Sequence, residues 1–191
     1  MNAFDPILHR YAIDNRPVVS VTQALQEVFS LKYWYATDWH KDRGRAVHAC
    51  AALIARGKQF KHDPQITGQV AACRLFFKEN EIEVLEVEKP LFSTIYNFAG
   101  TPDLICIIKG HKCVVDYKAS MTDLVFIQLG GYAVLKPEVT HGMGVELRED
   151  GKYKCTKIVK IARFRNEFLS CLSVWNIRKR LGLIKESEIN A

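Results

Sequence analysis

Asp103, Asp116 and Lys118 stand at the ends of a stretch rich in Leu, Ile, Val and Cys. Two apolar, β-branched runs at 104–108 and 113–115 flank Lys109-Gly110-His111. Such runs on either side of a glycine break predict a β-hairpin. With Lys109-Gly110 as a two-residue turn, Ile108 pairs with His111 and all cross-strand partners have numbers summing to 219. Asp103 then lies opposite Asp116, with Cβ atoms roughly 4.5–5.5 Å apart. Lys118, two residues beyond Asp116, points to the same face of the sheet.

Two carboxylates about 5 Å apart at an effective dielectric near 20 repel by roughly 3 kcal/mol. A shared proton, a cation or a lysine has to offset that. All-oxygen ligation favours Mg²⁺ or Mn²⁺ over zinc. A lysine beside such an ion suits holding water, or neutralising charge that develops on a phosphate. The alternative is a pair of strand-end aspartates facing solvent, with Lys118 as a surface partner.

Other elements must bring partners to this hairpin. Residues 9–13, the turn Asp14-Asn15-Arg16-Pro17 and residues 18–22 predict an N-terminal hairpin. Ser20 or Thr22 can cap the helix expected at 23–29, and the hydroxyls and amides there can also meet a phosphate. A second helix is expected from about Asp38 to Ala55, stopping at Gly57. Val47, Cys50 and Ile54 mark its core side, and His48 is the polar member of a neighbouring stripe of small residues. Ile66, Val70, Cys73 and Phe77 mark a third helix.

Residues 81–88 predict a strand in which Glu86 and Glu88 share parity with Ile82 and Val84. One of the two can face inward; a solvated strand end is the other reading. Residues 91–98 predict a further strand leading to Gly100, where a bend or the approach of a phosphate is allowed. A helix over 123–135 follows, apolar nearly all round, with Gln128 and Tyr132 on one face. Its Gly130-Gly131 pair costs about 2 kcal/mol of helix propensity, which predicts close packing against another backbone. A second hairpin (144–149, turn Asp150-Gly151, 153–161) and an amphipathic helix over 162–181 close the chain. The order predicts one α/β domain spanning 1–191, a central mixed β-sheet flanked by helices.

Pro102-Asp103 followed by Asp116-Tyr117-Lys118 resembles the PD-(D/E)XK nuclease superfamily. Three further strings resemble its RecB-like exonuclease branch: Ser20-Val21-Thr22-Gln23-Ala24-Leu25, Gly44-Arg45-Ala46-Val47-His48, and Gln128-Leu129-Gly130-Gly131-Tyr132. The resemblance implies a restriction-endonuclease-like core. It also implies that His48, Asp103, Asp116 and the carbonyl of Tyr117 ligate Mg²⁺ or Mn²⁺, with Glu88 as a further ligand or close neighbour. Lys118 then acts on the attacking water or the transition state, and Gln128 and Tyr132 hold the site and contact substrate. Ser20, Thr22, Arg45 and Ser120 are the residues expected at the nucleic acid. The implied reaction is hydrolysis of DNA phosphodiesters by an exonuclease acting on ends or single strands. Its setting would be recombination, repair or phage DNA metabolism, with a recombination or repair protein as a further partner. A non-catalytic or partner-dependent DNA-binding module of the same fold is the alternative.

Composition agrees with a globular domain, 48% apolar and 25% charged over 191 residues. A net charge of +6 suits a polyanionic partner without identifying one. The apolar runs fall short of the roughly 20 residues that cross a bilayer, and the N-terminus lacks signal-peptide character, so a cytoplasmic protein is expected. The six cysteines are scattered with no C-x-x-C pair, which suits buried thiols and argues against an iron–sulfur cluster.

Overall fold

The computed structural model describes residues 1–6, 8–29 and 38–184. The chain opens with three antiparallel strands, β1 (Asn2–Asp5), β2 (Arg10–Ile13) and β3 (Arg16–Ser20). Asp14 and Asn15 make the β2–β3 turn with φ of 49° and 61°, the left-handed pair that a two-residue hairpin requires. β1 was not anticipated: its Asn-Ala-Phe-Asp sequence lacks β-branched residues, and pairing with β2 supplies what propensity does not.

Helices α1 (Val21–Val28), α2 (Asp38–Ala55) and α3 (Thr67–Glu79) follow, the last entered through a 3-10 turn at Pro64–Ile66. Next come β4 (Ile82–Val87), β5 (Leu91–Ser93), β6 (Phe98–Gly100), β7 (Leu104–Ile108) and β8 (His111–Lys118). Helix α4 (Leu124–Leu135) leads to β9 (His141–Leu147), β10 (Tyr153–Cys155) and β11 (Val159–Lys160), and α5 (Ala162–Arg180) closes the fold.

The result is α/β, mixed sheets flanked by helices, with two sheets in place of the single one expected. The larger has the order β10-β9-β8-β7-β4, with β11 also on β9; the smaller is β1-β2-β3-β6-β5. The division follows from the segment expected as one strand at 91–98. It folds back at residues 94–97, where Asn97 has φ of 53° and Ser93 Oγ accepts from the Tyr96 amide at 3.1 Å. The short β6 is thereby released to pair in parallel with β3. Thr101, Pro102 and Asp103 carry the chain from the smaller sheet to the larger.

Helices lie on both faces of the larger sheet. Ile105 and Val114 pack with residues of α1, α4 and α5, whereas Cys106, Cys113 and Tyr117 pack with Ala72, Cys73 and Phe76 of α3 and Ala51 of α2. Gly130 explains the double glycine: a Cβ there would collide with the Phe164 carbonyl at the start of α5. Gly100 answers to packing as well. A Cβ on it would lie 2.9 Å from Val21 and 3.0 Å from Tyr132, so side chains occupy the room expected for a phosphate. Arg178 of the last helix pairs with Glu27 of α1 at 2.7 Å, and Lys179 lies over the Trp175 ring at 5.3 Å. Five cysteines are buried and Cys155 is exposed. Among the described residues, no helix is long and apolar enough to cross a membrane.

Candidate active site

The β7–β8 hairpin turns as its sequence predicts. Lys109 and Gly110 have φ of 50° and 76°, and Leu104 pairs with Val115, Ile105 with Val114 and Ile108 with His111. The register runs through the pairs without a bulge, and its next step sets Asp103 opposite Asp116. Asp116, Tyr117 and Lys118 occupy the carboxyl end of β8, beside its parallel neighbour β9 and ahead of α4. Carboxyl ends of parallel strands are the usual place for ligands in such sheets.

Asp103 is 7% exposed and makes two contacts. Its Oδ1 lies 2.9 Å from Nδ1 of His48 on α2, and its Oδ2 accepts from the Tyr117 amide at 2.6 Å. Asp116, 2% exposed, accepts through Oδ1 from the Gln128 amide at 3.0 Å. The Lys118 ammonium lies 2.7 Å from Asp116 Oδ2 but outside hydrogen-bond direction, so this buried oxygen has a counter-charge and no directed donor. Lys118 donates instead to Gln128 Oε1 at 2.8 Å. The Gln128 nitrogen also meets the Tyr132 hydroxyl at 3.0 Å. An amide is what this position needs, because it faces an anion on one side and a cation on the other.

Glu88, half-buried, lies with His48 and Asp103. A bulge between Val84 and Glu86 shifts the β4–β7 register by one residue, and the Glu88 amide donates to the Asp103 carbonyl at 3.2 Å. Without the bulge, Val87 would face Asp103. Glu88 takes a φ of 49°, and its carboxylate, the Asp103 carboxylate and the His48 ring offer donor atoms all within 4.8 Å of one another. Glu86 is turned away onto Lys89 and Lys136, at 2.8 and 2.9 Å. Period-two parity from Ile82 cannot anticipate this, because the bulge resets it.

The charges in the cluster are tightly interdependent. The Asp103 carboxylate raises the His48 imidazole to about 9 against the opposing effect of burial. Burial pushes Asp103 upward, yet the His48 charge, the bonds from His48 and the Tyr117 amide, and Lys118 outweigh it, and its pKa ends below the usual value. Burial raises Asp116; Lys118 works against the rise and Asp103 adds to it. Glu88 is driven up to about 7 by burial and by Asp103. Two of the acids and the imidazole therefore hold protons more tightly than usual, as expected where carboxylates crowd without enough positive charge. A divalent cation would supply that charge. The nitrogen and oxygen donors of His48, Glu88 and Asp103, with the donorless oxygen of Asp116 close to Lys118, fit one.

The remaining expected residues divide. Ser20 is buried as the N-cap of α1, its hydroxyl accepting from the Gln23 amide at 3.1 Å while the Gln23 side chain accepts from the Ser20 amide at 3.0 Å. Thr22 and Ser120 are exposed. Arg45 points outward on α2 and pairs with Asp42 at 2.8 Å. Tyr132 is 5% exposed and stands behind Gln128. His9 was not anticipated. It takes a φ of 48° and its ring meets Phe4 edge-on at 5.8 Å; desolvation, then the charges of Arg45 and His48, lower its pKa. No local signal in its sequence marks it.

Among the solved structures similar to the chain are two of one exonuclease. One is an alkaline exonuclease (LHK-Exo) from Laribacter hongkongensis, 16% identical with a TM-score of 0.43. The other is LHK-Exo in complex with dAMP, 15% identical with a TM-score of 0.41. Each comparison covers 87% of this chain and 95% of that one. No protein-family model and no curated protein matches the sequence.

Proposed function

We propose that this chain is a divalent-metal-dependent nuclease that hydrolyses DNA phosphodiesters, an exonuclease acting on ends or single strands. The observation that carries this reading is the placing of the His48–Asp103–Glu88 donor group beside the Asp116–Lys118 pair, at the carboxyl end of one strand.

His48, Glu88 and Asp103 would hold Mg²⁺ or Mn²⁺, with Asp116 and the Tyr117 carbonyl as further oxygen donors. When bound, the ion lowers the pKa of a water and polarises the phosphate. Lys118 keeps a positive charge beside Asp116, where it orients the attacking water or meets charge developing on the phosphate. Gln128 fixes the Lys118 ammonium and the Asp116 carboxylate relative to each other, and Tyr132 fixes Gln128 from behind. Thr22, Arg45 and Ser120, on the exposed side, would meet the DNA backbone. A role in recombination, repair or phage DNA metabolism, with a protein partner from those processes, suits such an activity.

The test is digestion of end-labelled single- and double-stranded DNA with Mg²⁺, Mn²⁺ or EDTA, comparing the wild type with Asp116→Ala and Lys118→Ala. Metal-dependent loss of label that both substitutions abolish supports the reading; full activity in both variants overturns it. Metal-independent binding without cleavage would make the chain a DNA-binding module of this fold.

A further inference from the structure

A second group of polar side chains surrounds a cavity of about 480 Å³ between the start of β3 and the last turns of α5. Strands β3 and β6 run parallel; Arg16 opens the first, Asn97 directly precedes the second, and both line the cavity. The acidic cluster lies beyond the other ends of these strands, where Gly100 leads into Thr101, Pro102 and Asp103. Arg16 to Ser20 alone spans about 13 Å of extended strand. A molecule held here is therefore not the phosphate at Asp103 and Asp116.

Val19 and the ring of Trp175 belong to the apolar part of the lining. Two cations from different elements, Arg16 and Lys179, and two amides, Asn97 and Asn176, supply the polar part. Among the described residues, the side chains of Arg16, Asn97 and Asn176 and the indole nitrogen of Trp175 have no hydrogen-bond or ion-pair partner. Trp175 is 5% exposed, and a buried indole N–H ordinarily finds an acceptor. Lys179 meets the face of that ring. The carboxylate of the lining, Asp14, is matched by the N-terminal ammonium, so the cavity keeps an excess of positive charge.

A guanidinium and an ammonium facing one space suit a phosphate, which accepts charge-assisted bonds through several oxygens. Amides that donate and accept, beside the carboxylate of Asp14, suit hydroxyl groups. The volume lies within the roughly 300–1,000 Å³ typical of sites for small organic molecules. We propose that this cavity is a binding site for a small organic phosphate that also carries hydroxyls, a sugar phosphate or a nucleotide. The site is separate from the acidic cluster, and the proposal does not depend on the nuclease reading.

The test is calorimetric titration of the full chain in EDTA, which keeps the acidic cluster from holding phosphate through a metal. The probes are ribose-5-phosphate, AMP, ribose, inorganic phosphate and a short single-stranded oligonucleotide. Ribose-5-phosphate or AMP should bind about tenfold or more tightly than ribose or inorganic phosphate. Either result supports the proposal, and the tighter of the two identifies the ligand's source. Arg16→Gln and Lys179→Gln, both at exposed positions, should each weaken that binding about tenfold and leave metal-dependent DNA cleavage unchanged. Should Arg16→Gln lower the Tm, Lys179→Gln makes the same comparison. Binding that survives both substitutions, no binding of either organic phosphate, or equal affinity for inorganic phosphate overturns the proposal. Oligonucleotide binding or cleavage that falls with the same substitutions makes the cavity part of a DNA path and overturns it as well. Binding as expected by a chain that cleaves no DNA supports the cavity and removes the catalytic reading.

Discussion

His48 Nδ1 lies 2.9 Å from Asp103 Oδ1, so helix α2 and the residue that leads into β7, 55 positions apart in the chain, meet through one charged contact. In the absence of a cation this contact holds a proton on the imidazole to about 9, above its ordinary 6.5. A group with a raised folded-state pKa stabilises fully below its unfolded value, and the contribution is lost as pH rises through the folded value. For His48 that window runs from 6.5 to about 9. Glu88, raised from 4.5 to about 7, acts with the same sign between those values. The Tm in EDTA should therefore fall steadily from pH 5 to pH 9. With saturating Mn²⁺ the fall should be smaller, because metal takes the deprotonated donors. Parallel Tm curves in the two conditions would remove the metal from these residues.

Glu88 and Glu86 provide a matched pair of substitutions. Glu88→Gln should weaken the Mn²⁺-induced rise in Tm by removing a donor oxygen. Glu86→Gln should leave that rise unchanged while lowering the metal-free Tm slightly, since it loses ion pairs to Lys89 and Lys136. Equal metal responses in the two variants would place the bulge outside the functional geometry.

Lys118→Ala should lower kcat by about 100-fold or more with little change in KM, as expected for charge stabilisation confined to the transition state. Stability should drop as well, by about 1–3 kcal/mol, because Asp116 is left buried without its counter-charge. Steady-state kinetics with urea titration checks both. A kcat unchanged within twofold would exclude Lys118 from the chemistry.

Gln128 and Tyr132 should separate. Gln128→Leu leaves Asp116 and Lys118 without their common partner and should cost about 1–3 kcal/mol of stability together with most of the activity. Tyr132→Phe loses one hydrogen bond behind the site and should cost about 1 kcal/mol with most activity retained. Activity lost equally in both would give the phenol a direct role.

Two glycines should respond in opposite directions. Gly130→Ala forces a Cβ into the Phe164 carbonyl and should lower the Tm by several degrees, an overpacking cost of about 1–3 kcal/mol. Gly44→Ala meets no atom and should raise stability by up to about 1 kcal/mol through helix propensity. Thermal melts of the two variants check the sign.

Most helices and the β7–β8 hairpin were legible because their information is local. Asp38–Ala55 shows helical periodicity up to Gly57, and Lys109-Gly110 can adopt the two left-handed conformations a tight turn needs. The double glycine of α4 likewise announced a close backbone neighbour without saying that it was Phe164. What escaped depends on pairing between distant segments. The β4 bulge, which brings Glu88 to Asp103, is set by the fit of two strands, and neither strand's own sequence encodes it. The division at residues 94–97 and the position of His9 are of the same kind.

The Lys109-Gly110 turn acts as a gauge block for the acidic cluster six residues away, about 20 Å along an extended strand. One residue inserted there would slide β8 past β7 and carry Asp116 to the opposite surface, dispersing the cluster without touching any of its members. A loop tip that looks dispensable on the surface is thus intolerant of a change in length.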